Sequence, residues 1–205
     1  MIPDLAQHVE LGGVHVYKNA LDKPAQVTVL GEIRWIIENA PLFRPVTRWG
    51  KEMSVEMTSA GSVGWVSDRR GYRYEKCHPT GCAWPDIPQN LALLWKQVCQ
   101  SERAPDCCLV NYYSQSARMG LHQDRDEADF DWPVLSISLG DDALFRVGGQ
   151  NRNDKTQSIW LSSGDLVVLS GPSRLAFHGI DRVRSGSSDL LPEGGRFNLT
   201  MRVVF

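Results

Sequence analysis

The second half of the chain consists of short runs of β-branched, aromatic and aliphatic residues separated by turn-forming residues. Eight such runs follow position 106: CLVNYY, RMGLH, VLSISL, ALFRV, SIWL, DLVVLS, LAFH and RFNLTMRVV. Strands this closely spaced leave little room for crossover helices, which disfavours a parallel sheet with helices between its strands. The pattern favours an antiparallel sandwich or jelly roll, that is, a double-stranded β-helix.

Two segments with helical periodicity precede these strands. One covers residues 26–39 and ends before Pro41, and the other covers residues 87–100, with Asp86 as a candidate N-cap. The apolar positions are Val27, Leu30, Ile33 and Ile37 in the first segment and Leu91, Leu94, Trp95 and Val98 in the second. We therefore expect a mainly β fold of the α+β class, with these N-terminal helices packed on one sheet of the jelly roll.

The length and composition fit one globular unit. The chain has 205 residues, of which 42% are hydrophobic, and this is enough for a single domain with a full core. Its five cysteines are an odd number without C-x-x-C spacing, which argues against a disulfide framework or a zinc knuckle and fits a reducing compartment. Because no signal-peptide pattern or membrane-spanning apolar stretch is found, we expect a cytoplasmic protein without a membrane partner. We also expect it to be a monomer.

The stretch LHQDRDE at 121–127 is dense in side chains that bind metals. His122 and Asp124 are two residues apart, so on a strand or its end both point to the same side. His178 is the remaining histidine in the β-rich half, with 53 residues between it and Asp124. Two imidazoles and one carboxylate on one face are typical of a mononuclear non-haem iron site, whose opposite positions stay open. A zinc hydrolase could use the same ligands, and an acidic surface turn could also contain H-x-D.

The segment RFNLTMR at 196–202 alternates strictly between polar and apolar residues. One face carries Arg196, Asn198, Thr200 and Arg202, and the other carries Phe197, Leu199 and Met201. If the apolar face packs on the core, two arginines point into the barrel, which is costly unless an anion lies there. The arginine Cα atoms are about 20 Å apart, and their extended side chains would leave a gap near the span of a five-carbon diacid. Beside an open iron site this indicates 2-oxoglutarate, although a solvent-facing strand could carry the same pattern.

The segment from Arg44 to Lys76 combines positive charge with aromatic rings. It contains seven basic and four acidic residues, a net charge of +3 within a protein of net charge −2. The interleaved aromatic residues are Trp49, Trp65, Tyr72 and Tyr74. Basic groups for phosphates and flat rings for stacking are typical of a surface that binds single-stranded nucleic acid. A solvated hairpin with ordinary cross-strand aromatic contacts is the alternative.

These motifs resemble those of the bacterial AlkB family of Fe(II)- and 2-oxoglutarate-dependent nucleic-acid dealkylases. The resemblance rests on N-Y-Y at 111–113, LHQDRDE at 121–127, SISLG at 136–140, RND at 152–154, FHGI at 177–180 and RFNLTMR at 196–202. In addition, GWVSDRRGYRY at 64–74 resembles the base-binding lid of that family. The match covers about residues 53–202. It departs from the family pattern at SQSAR, residues 114–118, where a Pro-Gly turn is expected, and in a long loop at 181–195.

The resemblance implies a metal and a cosubstrate site. The Fe(II) ligands, which form the catalytic centre, would be His122, Asp124 and His178, with 2-oxoglutarate and O2 as cosubstrates. Arg202 would neutralise the metal-bound end of 2-oxoglutarate, and Arg196 would pair with its distal carboxylate. The other residues of this cosubstrate site would be Asn111, Tyr113, Asn198 and Thr200.

The resemblance also implies how a base would be held. Trp65 would stack on a flipped base, against the ring of His122, and Asp126 would lie at the exocyclic amine of that base. Tyr72 and Tyr74 would contact the strand near the base, and Arg152 would line the substrate channel. We interpret Glu127, next to Asp126, as a solvated side chain.

The implied activity is oxidative demethylation of 1-methyladenine and 3-methylcytosine, with release of formaldehyde, as direct-reversal repair. Single-stranded DNA is the expected partner, and the sequence leaves double-stranded DNA and RNA open. The expected organisation is one dioxygenase domain, residues 1–205, with a lid at about 44–78 and a jelly-roll core at about 107–205. The alternatives are an oxygenase acting on a protein or small molecule, and a lesion-binding module without catalysis.

Overall fold

The computed structural model describes all residues from Met1 to Phe205. It contains two α-helices, α1 (Lys23–Asn39) and α2 (Gln89–Cys99), and a 3₁₀ turn at Gly171–Ser173. The strands before α2 are β1 (His8–Leu11), β2 (Val14–Tyr17), β3 (Glu56–Gly61), β4 (Gly64–Asp68) and β5 (Gly71–Glu75). The strands after α2 are β6 (Cys107–Tyr113), β7 (Met119–His122), β8 (Val134–Gly140), β9 (Asp142–Val147), β10 (Gln157–Leu161), β11 (Leu166–Leu169), β12 (His178–Arg184) and β13 (Arg196–Arg202).

The strands form two main antiparallel sheets and one hairpin. The major sheet has seven strands in the order β1-β2-β11-β8-β13-β6-β3, and the minor sheet has four in the order β10-β9-β12-β7. The hairpin β4–β5 forms a separate two-stranded sheet. This arrangement confirms the predicted jelly roll, and seven of the eight predicted runs form strands in it.

Two apolar layers cover the two faces of the major sheet. Between the sheets, Leu109 and Val167 pack with Phe145 and Ile180 of the minor sheet. On the outer face, both helices pack against the major sheet in one buried cluster, which includes Ile33, Leu94, Trp95, Val110 and Leu199. The helices therefore lie on one sheet, as the sequence predicts. Neither helix is long and apolar enough to cross a membrane.

The packing of β13 determines which side chains reach the interior of the barrel. Leu199 and Met201 are fully buried in the layer beneath the helices. Because side chains alternate along a strand, Arg196, Asn198, Thr200 and Arg202 then point between the two sheets. The alternative that residues 196–202 form a solvent-facing strand is therefore wrong.

The helix boundaries differ from the sequence prediction for local reasons. Helix α1 begins at Lys23, three residues early, because the Asp22 side chain caps it by accepting the Ala25 N–H at 2.8 Å. Its buried face includes Val29 and Ile36 rather than Val27, which is 59% exposed. Helix α2 begins at Gln89, so Asp86 is not its N-cap as predicted. A proline disfavours helical backbone at the residue before it. Because Ile87 precedes Pro88, the helix does not extend back to Asp86.

Three strands of the major sheet were not predicted, and one strand was misplaced. Strands β1 and β2 extend the sheet at one edge and β3 forms the other edge. The run LAFH at 175–178 is not itself a strand, because residues 171–177 form the 3₁₀ turn and a loop, and β12 begins only at His178. The SQSAR segment still forms a turn, closed by the Ala117 N–H donating to the Ser114 carbonyl at 3.0 Å.

Candidate metal centre and adjoining cavity

The two candidate histidine ligands lie directly opposite each other on adjacent strands. His122 ends β7 and His178 begins β12, and the two residues are register partners in the antiparallel pair. Asp124 follows β7 and places its carboxylate between the imidazoles, with each Nε2 atom 3.7 Å from a different carboxylate oxygen. The three ligand atoms lie within 4.8 Å of one another. The structure thus brings together the metal site that the H-x-D and the distant histidine predict.

Backbone carbonyls orient both imidazoles. The Nδ1 atom of His122 lies 3.0 Å from the Gly120 carbonyl oxygen, and that of His178 lies 3.0 Å from the Ala176 carbonyl oxygen. A carbonyl oxygen can only accept a hydrogen bond, so Nδ1 carries the proton and the Nε2 lone pair faces the carboxylate. Two Nε2 atoms and one carboxylate then converge on a single point, as metal ligation requires.

The electrostatics keep Asp124 and His178 in their ligating forms. Burial alone would raise the pKa of the Asp124 carboxyl, but the Arg202 guanidinium outweighs burial and holds that pKa well below its usual range. Burial also lowers the pKa of His178 to about 4. One buried oxygen of Asp124, Oδ2, has no hydrogen-bond partner. An ionised carboxylate with a free oxygen beside the neutral imidazole of His178 fits a divalent cation such as Fe(II).

The triad lies in the wall of a large cavity between the two sheets. The cavity has a volume of about 1240 Å³. Its inner lining includes the predicted cosubstrate residues Asn111, Tyr113, Arg196, Asn198, Thr200 and Arg202. Ligand sites in proteins typically measure about 300–1,000 Å³, so this cavity has room for a dicarboxylate and a nucleobase together.

Arg196 is a buried cation without a counter-ion. Its side chain is fully buried, and its guanidinium donates only to the Ser138 hydroxyl at 2.7 Å and the Asp141 carbonyl at 3.4 Å. No carboxylate lies within 4.0 Å of it, and its Nε–H has no acceptor. Burial lowers the pKa of Arg196 to about 10, so the side chain is still charged at neutral pH. A buried charge of this kind fits an anionic ligand, as the distal carboxylate of 2-oxoglutarate would be.

Neutral hydrogen-bonding groups connect Arg196 with the metal end of β13. The Asn198 amide donates to the Ser136 hydroxyl at 2.7 Å, and the Thr200 hydroxyl donates to Asn198 Oδ1 at 3.2 Å. Asn111 is buried with an unpartnered Oδ1 atom, and burial raises the pKa of Tyr113, which keeps its hydroxyl a neutral donor. A bound dicarboxylate would therefore lie along a polar, uncharged wall.

Arg202, at the other end of β13, is already paired. Its Nη2 atom lies 2.9 Å from Asp124 Oδ1, and its Nη1 atom donates to the Tyr74 hydroxyl at 3.2 Å. Arg202 is therefore beside the metal ligand, at the end where the sequence resemblance places it.

The hairpin β4–β5 covers the mouth of the cavity. Trp65 and Tyr72 stack with ring centroids 5.4 Å apart at an interplanar angle of 27°, and both line the cavity. The Trp65 indole N–H donates to Asp126 Oδ2 at 2.8 Å, which leaves Asp126 Oδ1 free for another donor. Arg152 also lines the cavity and donates to the Leu121 carbonyl at 3.0 Å. Four of the five predicted substrate-binding residues thus meet at one opening.

Comparison with known proteins agrees with this geometry. Residues 13–202 match the model of the 2OG-Fe(II) oxygenase superfamily. The chain is 56% identical over 191 residues to an alpha-ketoglutarate-dependent dioxygenase AlkB homolog of Caulobacter vibrioides, covering 93% of this chain and 87% of the relative. This chain belongs to the AlkB family of 2OG-Fe(II) oxygenases.

Two further relatives extend the comparison. The DNA N(6)-methyladenine demethylase ALKBH1C of Arabidopsis thaliana is 32% identical over 221 residues, which cover 93% of this chain and 48% of the relative. The solved structure of OsALKBH1 superposes on this AlkB-family chain with a TM-score of 0.82 and 31% identity, covering 96% of this chain and 99% of the other. The predicted family, jelly-roll fold and enzyme class are confirmed. The protein is an Fe(II)-dependent dioxygenase that uses 2-oxoglutarate and O2 as cosubstrates.

The fifth predicted substrate contact of this AlkB-family enzyme, Tyr74, lies elsewhere. Its side chain is partly buried, it does not line the cavity, and its hydroxyl donates to Glu127 Oε1. Tyr74 is the register partner of Trp65 at the base of the hairpin, whereas Tyr72 lies nearer the tip. The predicted contact of Tyr74 with the nucleic-acid strand is therefore not supported by its position.

The interpretation of Glu127 as a solvated residue was wrong. Glu127 is only 6% exposed, and its Oε2 atom lies 3.1 Å from the Arg174 guanidinium, which is itself buried. Arg174 also donates to the Asp124 backbone carbonyl at 2.7 Å. Arg202 Nε lies 3.6 Å from Glu127 as well. Sequence reasoning missed Glu127 and Arg174 because the two are 47 residues apart and only the fold brings them together.

Proposed function

We propose that this enzyme removes methyl groups from alkylated bases in nucleic acid by oxidation, with 1-methyladenine and 3-methylcytosine in single-stranded DNA as its preferred substrates. This proposal rests on one observation. The candidate iron triad, the polar face of β13 and the aromatic hairpin all line the same cavity. The name of the Arabidopsis relative as a DNA N(6)-methyladenine demethylase supports a methylated base as the substrate class.

The reaction requires the methyl carbon to reach the metal. When bound, Fe(II) with 2-oxoglutarate and O2 supplies hydroxylation of the N-methyl group, which then leaves as formaldehyde while 2-oxoglutarate becomes succinate and CO2. The methyl group lies on the pairing edge of the base, so the base must leave the duplex or the stack to enter the cavity. The enzyme's own side chains therefore have to bind, orient and shield an extruded base.

The side chains at the mouth can perform these tasks. Trp65 offers an aromatic face for the base, held in place by its contacts with Tyr72 and Asp126. The free Oδ1 atom of Asp126 can accept a hydrogen bond from an exocyclic amine, and its charge complements a cationic methylated base. Arg152, packed on Phe177 at 5.7 Å, lines the path by which the base enters.

The shape of the mouth supports a single strand rather than a duplex. The hairpin offers aromatic rings and cationic side chains, but no helix to insert into a groove. Extruding a paired base costs a few kcal/mol more than using an unpaired base. We propose further that residues 44–78 act as the lid and 107–205 as the catalytic core of one domain, 1–205.

We also propose that the enzyme works as a monomer in the cytoplasm. The complete triad, cosubstrate wall and hairpin come from one chain. All five cysteines are free thiols, which suits a reducing compartment.

Anaerobic reconstitution with Fe(II), followed by exposure to O2, tests the function. We expect formaldehyde release from an oligonucleotide containing 3-methylcytosine when 2-oxoglutarate is present and none when it is omitted. Release should be several-fold faster from the single strand than from the same lesion in a duplex, because no base pair has to open. Absence of formaldehyde from 3-methylcytosine, 1-methyladenine and N6-methyladenine oligonucleotides alike would overturn the proposal, and faster turnover of the duplex would overturn the strand preference.

Asp126 is expected to distinguish cationic from neutral lesions. Replacing Asp126 by Asn removes its charge but keeps an oxygen that can accept the Trp65 N–H. We expect kcat/KM for cationic 3-methylcytosine to fall by roughly ten- to a hundredfold, and kcat/KM for neutral 3-methylthymine to change little, since one charge-assisted contact typically contributes about 1.5–3 kcal/mol. Glu52→Gln is the matched control, because Glu52 is another exposed carboxylate lining the same cavity. Equal losses for both lesions would show that Asp126 does not respond to base charge.

A further inference from the structure

Trp49 is a large aromatic side chain that the fold leaves in solvent. It is 75% exposed, whereas Trp84 and Trp95 are 6% and 1% exposed. A side chain this exposed removes little apolar surface from water and so contributes little to the stability of the fold. Exposed tryptophan beside a cavity is, by contrast, common where proteins bind their partners.

An ordered turn presents the Trp49 ring. The turn is closed by Gly50 N–H donating to the Thr47 carbonyl and by Thr47 N–H donating to the Lys51 carbonyl, both at 2.8 Å. Gly50 adopts a φ of +83°, which a side chain at that position would strain. The Arg48 guanidinium lies 4.3 Å from the centroid of the Trp49 ring. The ring is thus held at a defined place rather than on a loose loop.

Trp49 lies at the rim of the cavity but apart from the aromatic pair that faces the base. Trp49, Arg48 and Lys51 line the cavity together with Trp65 and Tyr72. Trp65 stacks on Tyr72, and Trp49 has no aromatic neighbour. The rim therefore carries two separate aromatic surfaces, on different segments of the chain.

The cations around the rim lack carboxylate partners within the protein. Five exposed cations line the opening: Arg48, Lys51, Arg118, Arg125 and Arg152. None of them has a carboxylate oxygen within 4.0 Å, whereas Arg70 and Arg73 of the hairpin are both paired with Asp68. Uncompensated cations alternating with aromatic rings match the phosphates and bases of an unpaired strand.

We infer that Trp49 is a second stacking platform, which holds an unflipped base flanking the lesion while Arg48 and Lys51 contact the adjoining phosphates. The inference rests on the proposed function and names a strand contact beyond the extruded nucleotide. The lesion base enters between the hairpin and the triad, and its neighbour stays outside on the Trp49 ring. The enzyme then recognises the single strand on both sides of the cavity mouth.

Abasic nucleotides on both sides of the lesion provide the sharpest test, because they remove the flanking bases and keep the phosphates. With ordinary flanks, Trp49→Ala should lower kcat/KM for single-stranded 3-methylcytosine about tenfold, from lost base stacking. With abasic flanks, the wild-type enzyme should show the same loss, and Trp49→Ala should add nothing to it. Trp49→Phe should recover part of the activity, and kcat at saturating substrate should be unchanged.

Trp35→Ala is the matched control, since Trp35 is a 44% exposed tryptophan on α1 that does not line the cavity. Binding of a labelled, unmodified single-stranded oligonucleotide gives a second measurement that does not depend on turnover. Weaker binding by Trp49→Ala but not by Trp35→Ala would support the platform even if no lesion were repaired. Equal binding by both variants, or a Trp49→Ala loss that persists with abasic flanks, would overturn the inference.

Discussion

Replacing Asp124 by alanine is expected to abolish formaldehyde release while the fold survives. Asp124 supplies the only carboxylate of the metal site, so its loss leaves two imidazoles to hold the iron. Changing residues that merely support a ligand typically costs 10–100-fold in metal affinity or activity, so the loss of a ligand should exceed about a hundredfold. The measurement is formaldehyde release together with the iron content of the purified variant.

Asp124 also pairs with Arg202, so the test needs a control for the lost ion pair. Asp124→Asn keeps the shape and a hydrogen-bond acceptor for Arg202 but is a poorer iron ligand, and it should be nearly as inactive as the alanine variant. Asp131→Ala, at an exposed aspartate a few residues further on, should behave as the wild type. An Asp124→Ala protein with full iron content and full turnover would refute the assignment of the triad.

Replacing Arg196 by methionine is expected to raise the apparent KM for 2-oxoglutarate by about thirtyfold or more. Losing a charge-assisted contact in a buried site typically costs on the order of 2–4 kcal/mol. Methionine fills much of the same volume without a charge. It therefore avoids the destabilising cavity that an alanine substitution would leave. The KM should change far more than kcat at saturating 2-oxoglutarate, because Arg196 lies away from the metal.

Thermal unfolding gives an independent measurement for Arg196. In the wild type, 2-oxoglutarate should raise the melting temperature, because it binds the folded state and pairs with a buried cation. Arg196→Met should lose this increase and should be no less stable without ligand, since removing an unpaired buried charge is often neutral or stabilising. Arg184→Met, at an exposed arginine paired with Asp142, serves as the control. An unchanged KM and an unchanged ligand-induced increase would show that Arg196 is purely structural.

The sequence predicted where the candidate metal and cosubstrate side chains lie, because strand geometry determines their direction. A period of two places His122 and Asp124 on one side, and the same period places Arg196 to Arg202 on one face of β13. The polar and apolar faces of β13 are distinct, so its orientation follows once the apolar face packs on the helices. These inferences need only local periodicity and one hydrophobic core.

Other features depended on contacts that no local pattern encodes. Tyr74 and Tyr72 share a strand and a residue type, yet only Tyr72 reaches the cavity. Glu127 follows Asp126 directly, yet it is buried. It pairs with Arg174, which lies in a turn 47 residues further along the chain. Strands β1 to β3 are short or lack clear alternation, and their pairing with the edges of the major sheet defines them. In each case, long-range packing overrode the local signal.

The contacts of Tyr74 join the hairpin at the cavity mouth to the metal centre. Its hydroxyl contacts Glu127 and Arg202, and Arg202 holds the ligand Asp124. A displacement of the hairpin would therefore remove a hydrogen-bond partner from Arg202, the cation that pairs with the candidate metal ligand.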